Sequence, residues 1–197
     1  MTDQIRWEQF TKGNKDALSK IFLDFHDDLF NYGMKLASNT NIVKDSIQDL
    51  FLKLWKNRNN LDSVKVIKPY LLKSLRHHIQ DSVELRKPWL FLDHESEPAF
   101  EVMYSHEDFL INQQITEDVS KKIIKALNQL TPRQREAIYL RYFEDLDFTT
   151  IGQIMEMNIQ SVRNIIHRGM QVMRDLMVLQ AFFLMLGKSA DLFGIQL

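Results

Sequence analysis

The stretch TPRQREAIYLRYFEDLDFTTIGQIMEMNIQSVRNIIHRGMQVMR, residues 131–174, decides the fold. It reads as three helices in succession. Thr131, Pro132 and Gln134 form a helix start: a hydroxyl cap, Pro at the first helical position, and an amide placed to reach back to the cap. A second helix begins after Asp147 and carries Ile151, Gly152, Ile154 and Met155. Asn158 then caps a third. The short turn at 156–158 is what a helix-turn-helix requires.

The third helix carries the chemistry. At about 100° per residue, Ile159, Val162, Ile166, Gly169, Met170 and Met173 fall on one side. Gln160, Asn164, His167, Arg168 and Gln171 fall on the other, flanked by Arg163 and Arg174, with Ser161 in the opening turn. Amides, guanidiniums and a histidine on one face suit base edges and phosphates in a major groove. The plainer reading is a solvated polar face, and the turn, the caps and the paired preceding helix weigh against it.

Outward from this stretch, the chain of 197 residues has room for one domain or two small ones. It has no cysteine, which excludes disulfides and thiolate metal sites and is compatible with a reducing cytoplasm. Its longest apolar run falls far short of the roughly 20 residues that a spanning helix needs, and no basic-then-apolar leader opens it. A net charge of −1 argues against coating nucleic acid by bulk electrostatics, while leaving room for local basic patches. With only 6 Gly and 4 Pro, little interrupts helices.

Residues 1–87 read as a helical unit. A short helix holds Ile5, Trp7 and Phe10, and a longer one from about Lys15 carries Leu18, Ile21, Phe22, Phe25 and Leu29. A polar break at 38–41 ends it. Residues 42–57 then show two faces: Val43, Ile47, Leu50, Phe51 and Leu54 on one, and Asp45, Gln48, Asp49, Leu52 and Lys56 on the other. A leucine in the middle of an acidic, amide-bearing face is unusual if that face meets only water. Residues 67–87 form the next helix, starting near Pro69, with Leu71, Leu72, Leu75, Ile79 and Val83 inward. Lys73, Arg76, His77, Gln80 and Glu84 are expected to project outward. The His77-His78 pair is not a metal site, since adjacent helical side chains diverge by about 100° and no third ligand is suitably spaced.

Residues 88–119 break the pattern and read as an acidic linker, with Trp89-Leu90-Phe91 and Phe109-Leu110-Ile111 as apolar patches able to dock. Residues 178–197 form an apolar extension in which Leu179, Phe182, Phe183 and Leu186 share helical spacing. It either packs onto the body of the protein or acts as a lock over a binding surface. No nucleophile elbow, phosphate loop, carboxylate pair or metal-ligand cluster appears, so neither an enzyme, a cofactor nor a small-molecule substrate is expected.

Residues 127–176 resemble region four of the extracytoplasmic-function (ECF) sigma factors, the part that reads the minus-thirty-five promoter element. The resemblance rests on the start at 130–135, the Tyr-Leu-Arg-Tyr-Phe run at 139–143, and Ser161-Val162-Arg163-Asn164. Gly152 and Gly169 stand where that family usually has Ala, Ile165 where it has a polar residue, and Glu156 where a turn Gly is common. Asp45, Gln48, Asp49, Phe51 and Trp55 resemble the Asp-x-x-Gln-Glu-x-Phe-x-x-x-Trp signature of sigma region two, with Asp for Glu. Tyr70, Arg76 and Asp81 match the part of region two that opens the minus-ten element, while His77 replaces a usual Asn and Glu84 a usual base.

The resemblance implies an all-α protein of two small helical domains: region two at 1–87 and region four at 120–177, joined by the linker. It implies that Asp45, Gln48, Asp49, Leu52 and Lys56 meet the β′ clamp helices of core RNA polymerase, with region four on the β flap. Tyr70, Lys73, Arg76, His77, Gln80 and Arg86 would engage melted minus-ten DNA. Gln160, Ser161, Arg163, Asn164, His167, Arg168 and Gln171 would read duplex minus-thirty-five DNA. An anti-sigma factor is a further implied partner, and the cytoplasm the implied location. Two rivals remain: a two-domain helical DNA-binding regulator that never engages polymerase, and an interaction protein whose helix-turn-helix has lost DNA binding.

Overall fold

A computed structural model describes residues 2–86, 100, 124 and 126–175. The apolar patches at 89–91 and 109–111 of the linker, the apolar extension and the Arg86 side chain lie outside the described residues. The fold is all-α, in two compact units, Met1–Glu101 and Val102–Leu197.

In the first unit, α1 (Asp3–Thr11), α2 (Lys15–Ala37), α3 (Thr40–Asn57) and α4 (Ile67–Arg86) follow in order, with a 3-10 turn, Arg58–Asn60, after α3. Local chemistry sets the helix starts. Thr2, Asn14 and Asn39 each turn a side-chain oxygen onto backbone N–H groups of the helix that follows. Ser38 closes α2 in the left-handed region at φ 46°. The third helix therefore begins two residues ahead of the expected Ile42, because Asn39 supplies its cap. Similarly, α4 begins at Ile67, so Pro69 sits inside the first turn, where a missing N–H loses no helical bond.

Helices α2, α3 and α4 pack mutually. Ile21, Leu29, Tyr32 and Leu36 meet Val43, Ile47, Leu50 and Leu54, and Leu71, Leu72, Leu75 and Ile79 close the core. The α2–α3 crossing is tight at Gly33, where a β-carbon would stand 2.7 Å from Val43 Cγ1. Phe100 is also fully buried in this unit, its ring 6.3 Å from that of Tyr32.

The second unit holds α5 (Pro132–Tyr142), α6 (Phe148–Met155) and α7 (Ile159–Asp175). The capping box forms: Gln134 N–H donates to Thr131 Oγ1 at 3.3 Å, and Thr131 N–H donates to Gln134 Oε1 at 2.9 Å. Asp147 accepts from Thr150 N–H at 2.8 Å to start α6, and Asn158 accepts from Ser161 N–H at 2.8 Å to start α7. Ala126, Leu127 and Leu130 join Ile138, Leu140, Ile151, Ile154, Val162, Ile166 and Met173 in one core. Burying such a set is the main stabilising term for helices this short.

Candidate polymerase and promoter interfaces

The turn between α6 and α7 fixes the putting-together of the helix-turn-helix. Glu156 takes the left-handed conformation at φ 56°, and Met157 N–H donates to Gly152 O at 2.9 Å, so the chain reverses within three residues. Gly152 is demanded here, since a β-carbon would lie 2.7 Å from Met157 O. Asp147 is held below the usual carboxylate range, first by the Thr150 N–H and then by the Thr150 hydroxyl.

Helix α7 then presents Gln160, Arg163, Asn164, His167, Arg168, Gln171 and Arg174 to solvent, while Ser161 is half-buried. Gln160 donates to Asn164 Oδ1 at 3.1 Å, pre-orienting two amides on one face. The Arg163 guanidinium lies 5.6 Å from the centroid of the Phe148 ring, at the start of α6. Ile159 departs from expectation. It falls on the apolar arc but is 40 % exposed, because it is the first residue of the helix and lies beyond the reach of the packed partners.

On α3, Asp45, Gln48, Asp49 and Lys56 are exposed, and Leu52 is 59 % exposed among them. The face is continuous with a groove of about 500 Å³ between α2 and α3, lined by Phe22, Ile47, Phe51 and Trp55 with Gln48 and Leu52 at its edge. The exposed leucine thus borders an apolar depression, which a purely solvated face would not require.

On α4 the expected outward row is only partly outward. Lys73, His77 and Gln80 are half-buried. Arg76 does not project: it is 8 % exposed, which corrects the expectation that it points outward. The reason is its spacing from Leu72 and Ile79, four and three residues away, which puts it inside the buried stripe of a helix packed against both α2 and α3. Tyr70 is half-buried, with its ring 5.0 Å from Trp7 at 69°. Burial, with Asp62 nearby, pushes its phenol upward against a hydrogen bond with Ser74. His78 lies 3.4 Å from Lys53 Nζ, and burial followed by Lys53 lowers its basicity. No group of three or more metal-ligating side chains occurs among the described residues.

Sequence reasoning missed the residues that hold α4 in place. Asp3 Oδ2 accepts from Ile67 N–H at 3.1 Å, and Trp7 Nε1 donates to Asp62 O at 2.9 Å. These bonds join positions 64 and 55 residues apart, and no spacing rule announces them.

Two family models match this chain: Sigma-70 region 2 over residues 21–88 and Sigma-70 region 4 over residues 120–173. The ECF RNA polymerase sigma factor SigW of Bacillus subtilis is 25 % identical over 178 residues, covering 86 % of this chain and 93 % of its own length. The RNA polymerase sigma factor CarQ of Myxococcus xanthus is 23 % identical over 175 residues, covering 86 % and 94 %. Among solved structures, CnrH bound to the cytosolic domain of CnrY has the same fold, with a TM-score of 0.61 at 15 % identity over 89 % of this chain and 96 % of that one. The sigma factor RpoE of Bartonella quintana, solved with the anti-sigma factor NepR, gives a TM-score of 0.58 at 21 % identity over 83 % and 98 %.

Proposed function

Because the chain belongs to the extracytoplasmic-function sigma factors, we propose that it docks on core RNA polymerase through one face of α3 and reads promoters with α4 and α7. The observation that carries the polymerase contact is the grouping of Asp45, Gln48, Asp49 and Leu52 on one exposed face beside an apolar groove. The acidic groups would steer a basic partner, and Leu52 with the groove would supply desolvated contact. Lys56 lies at the end of the same face, where it would pair with an acidic group of the β′ clamp helices.

For the minus-thirty-five element, Gln160, Asn164 and His167 are the groups for base edges, and Arg163, Arg168, Ser161 and Gln171 flank them toward phosphates. For the minus-ten element, Tyr70 offers a ring for an unstacked base, with Lys73, His77, Gln80 and Arg86 along the strand. Arg76 belongs beneath that track as a support. Residues 1–87 then act as region two, 120–177 as region four, and 88–119 as the acidic connection. The protein works as an initiation factor rather than an enzyme, in the cytoplasm, and an anti-sigma factor is its expected restraint.

Transcription with reconstituted holoenzyme on a library of upstream regions tests this reading. Initiation at a discrete set of start sites, absent with core enzyme alone, is expected. Binding to duplex DNA without any effect on core enzyme would instead identify a regulator that never engages polymerase.

A further inference from the structure

The matched region-two model begins at residue 21, so α1 lies outside it, yet α1 makes two bonds that decide how α4 starts. The segment before α4 reads Val64-Lys65-Val66, and none of these side chains can cap a helix. The cap comes from elsewhere: Asp3 Oδ2 accepts the N–H of Ile67, the first residue of α4. A carboxylate there also meets the positive end of the helix. One turn along α1, Trp7 donates to Asp62 O at 2.9 Å and sets its ring edge-on to Tyr70 at 5.0 Å. Trp7 is itself 1 % exposed, so this indole has one fixed position.

The segment 62–67 is therefore tied to α1 at both ends, at Asp62 and at Ile67. We propose that Asp3 and Trp7 are positioning residues for strand capture by α4: they set the axial start of the helix and the attitude of Tyr70, and so the track along which a displaced strand lies. This rests on the minus-ten reading of α4 given above. Neither residue touches DNA in this account, and both act through Tyr70 and the first turn of α4.

The test uses the full chain in holoenzyme and two affinities. One is for core polymerase; the other is for a non-template single-stranded oligonucleotide covering the minus-ten segment of a promoter that the protein transcribes. Asp3→Ala is expected to weaken oligonucleotide binding about tenfold, the scale of one lost helix cap, with core affinity unchanged. Asp3→Asn keeps a capping oxygen and is expected to restore binding. Trp7→Phe keeps a ring against Tyr70 but removes the N–H to Asp62, and it is expected to weaken the oligonucleotide selectively as well. Oligonucleotide binding at wild-type strength in Asp3→Ala and Trp7→Phe would overturn the proposal. So would a parallel loss of core affinity, which would make α1 a support of the whole unit. A wild-type holoenzyme that ignores the oligonucleotide would instead sink the minus-ten reading itself.

Discussion

Gly152 and Met157 face each other across the helix-turn-helix turn so closely that a β-carbon on the glycine would stand 2.7 Å from the Met157 carbonyl oxygen. Both partners of that contact are backbone, and a backbone clash is relieved only by moving α6 against α7. Gly152→Ala should therefore destabilise the second unit by about 1–3 kcal/mol, overpacking outweighing the helix propensity gained. Gly169 makes the contrast. Its only contact under 3 Å would be with the terminal Cδ1 of Ile138, also at 2.7 Å, the far end of a side chain that a turn about χ2 can move aside, with Gln134 Cβ at an ordinary 3.6 Å. Gly169→Ala should change stability by less than about 1 kcal/mol. Chemical denaturation of both variants checks the ordering, and equal effects would contradict it.

Glu156 holds φ 56° at the same turn, a conformation that L-residues adopt at a cost of roughly 1 kcal/mol or more. Glu156→Gly should raise stability by about 0.5–1 kcal/mol, read as a higher urea midpoint at unchanged slope. A lower midpoint would mean that the glutamate side chain contributes more than its backbone conformation costs.

Asp147 gives the second unit an acid-side dependence. Its folded carboxyl titrates below the ordinary range because Thr150 N–H and Oγ1 donate to the charged form. A depressed folded value means that the stabilisation is present above the unfolded value, near about pH 4, and is lost as pH falls through the lower folded one. Asp147→Ala should cost about 1 kcal/mol near neutral pH and less in acid. Thermal unfolding across that range checks this, and wild-type and variant curves that stay parallel would contradict it.

Arg168 is exposed on the polar side of α7, where the promoter reading gives it a phosphate. Arg168→Ala should weaken promoter binding at all sequences alike and flatten the logarithmic salt dependence by about one unit. An unchanged slope would remove the phosphate from its role.

What the sequence made legible, and what it hid, divides by range. Thr131, Asp147 and Asn158 were readable because a cap acts on N–H groups three residues away, inside any local window. The exposed row of Asp45, Gln48 and Asp49 was readable because α3 keeps one side free along its length. Arg76 was misplaced because a helical wheel allots one buried side, whereas α4 packs against two helices and its buried arc widens to include it. The Asp3–Ile67 and Trp7–Asp62 bonds have no sequence signature, since each joins a side chain to backbone that only folding brings near. Leu52 was legible as an anomaly, but the groove beside it is formed by two helices and emerges only when α2 lies along α3.

Engagement of core polymerase by the exposed α3 face, as proposed above, is best probed by reversing the charge of that face. Asp45→Lys combined with Asp49→Lys alters two exposed side chains, so the first unit should keep its thermal midpoint while its affinity for core enzyme falls by at least about a hundredfold. Core binding at wild-type affinity by the folded double variant would contradict the account.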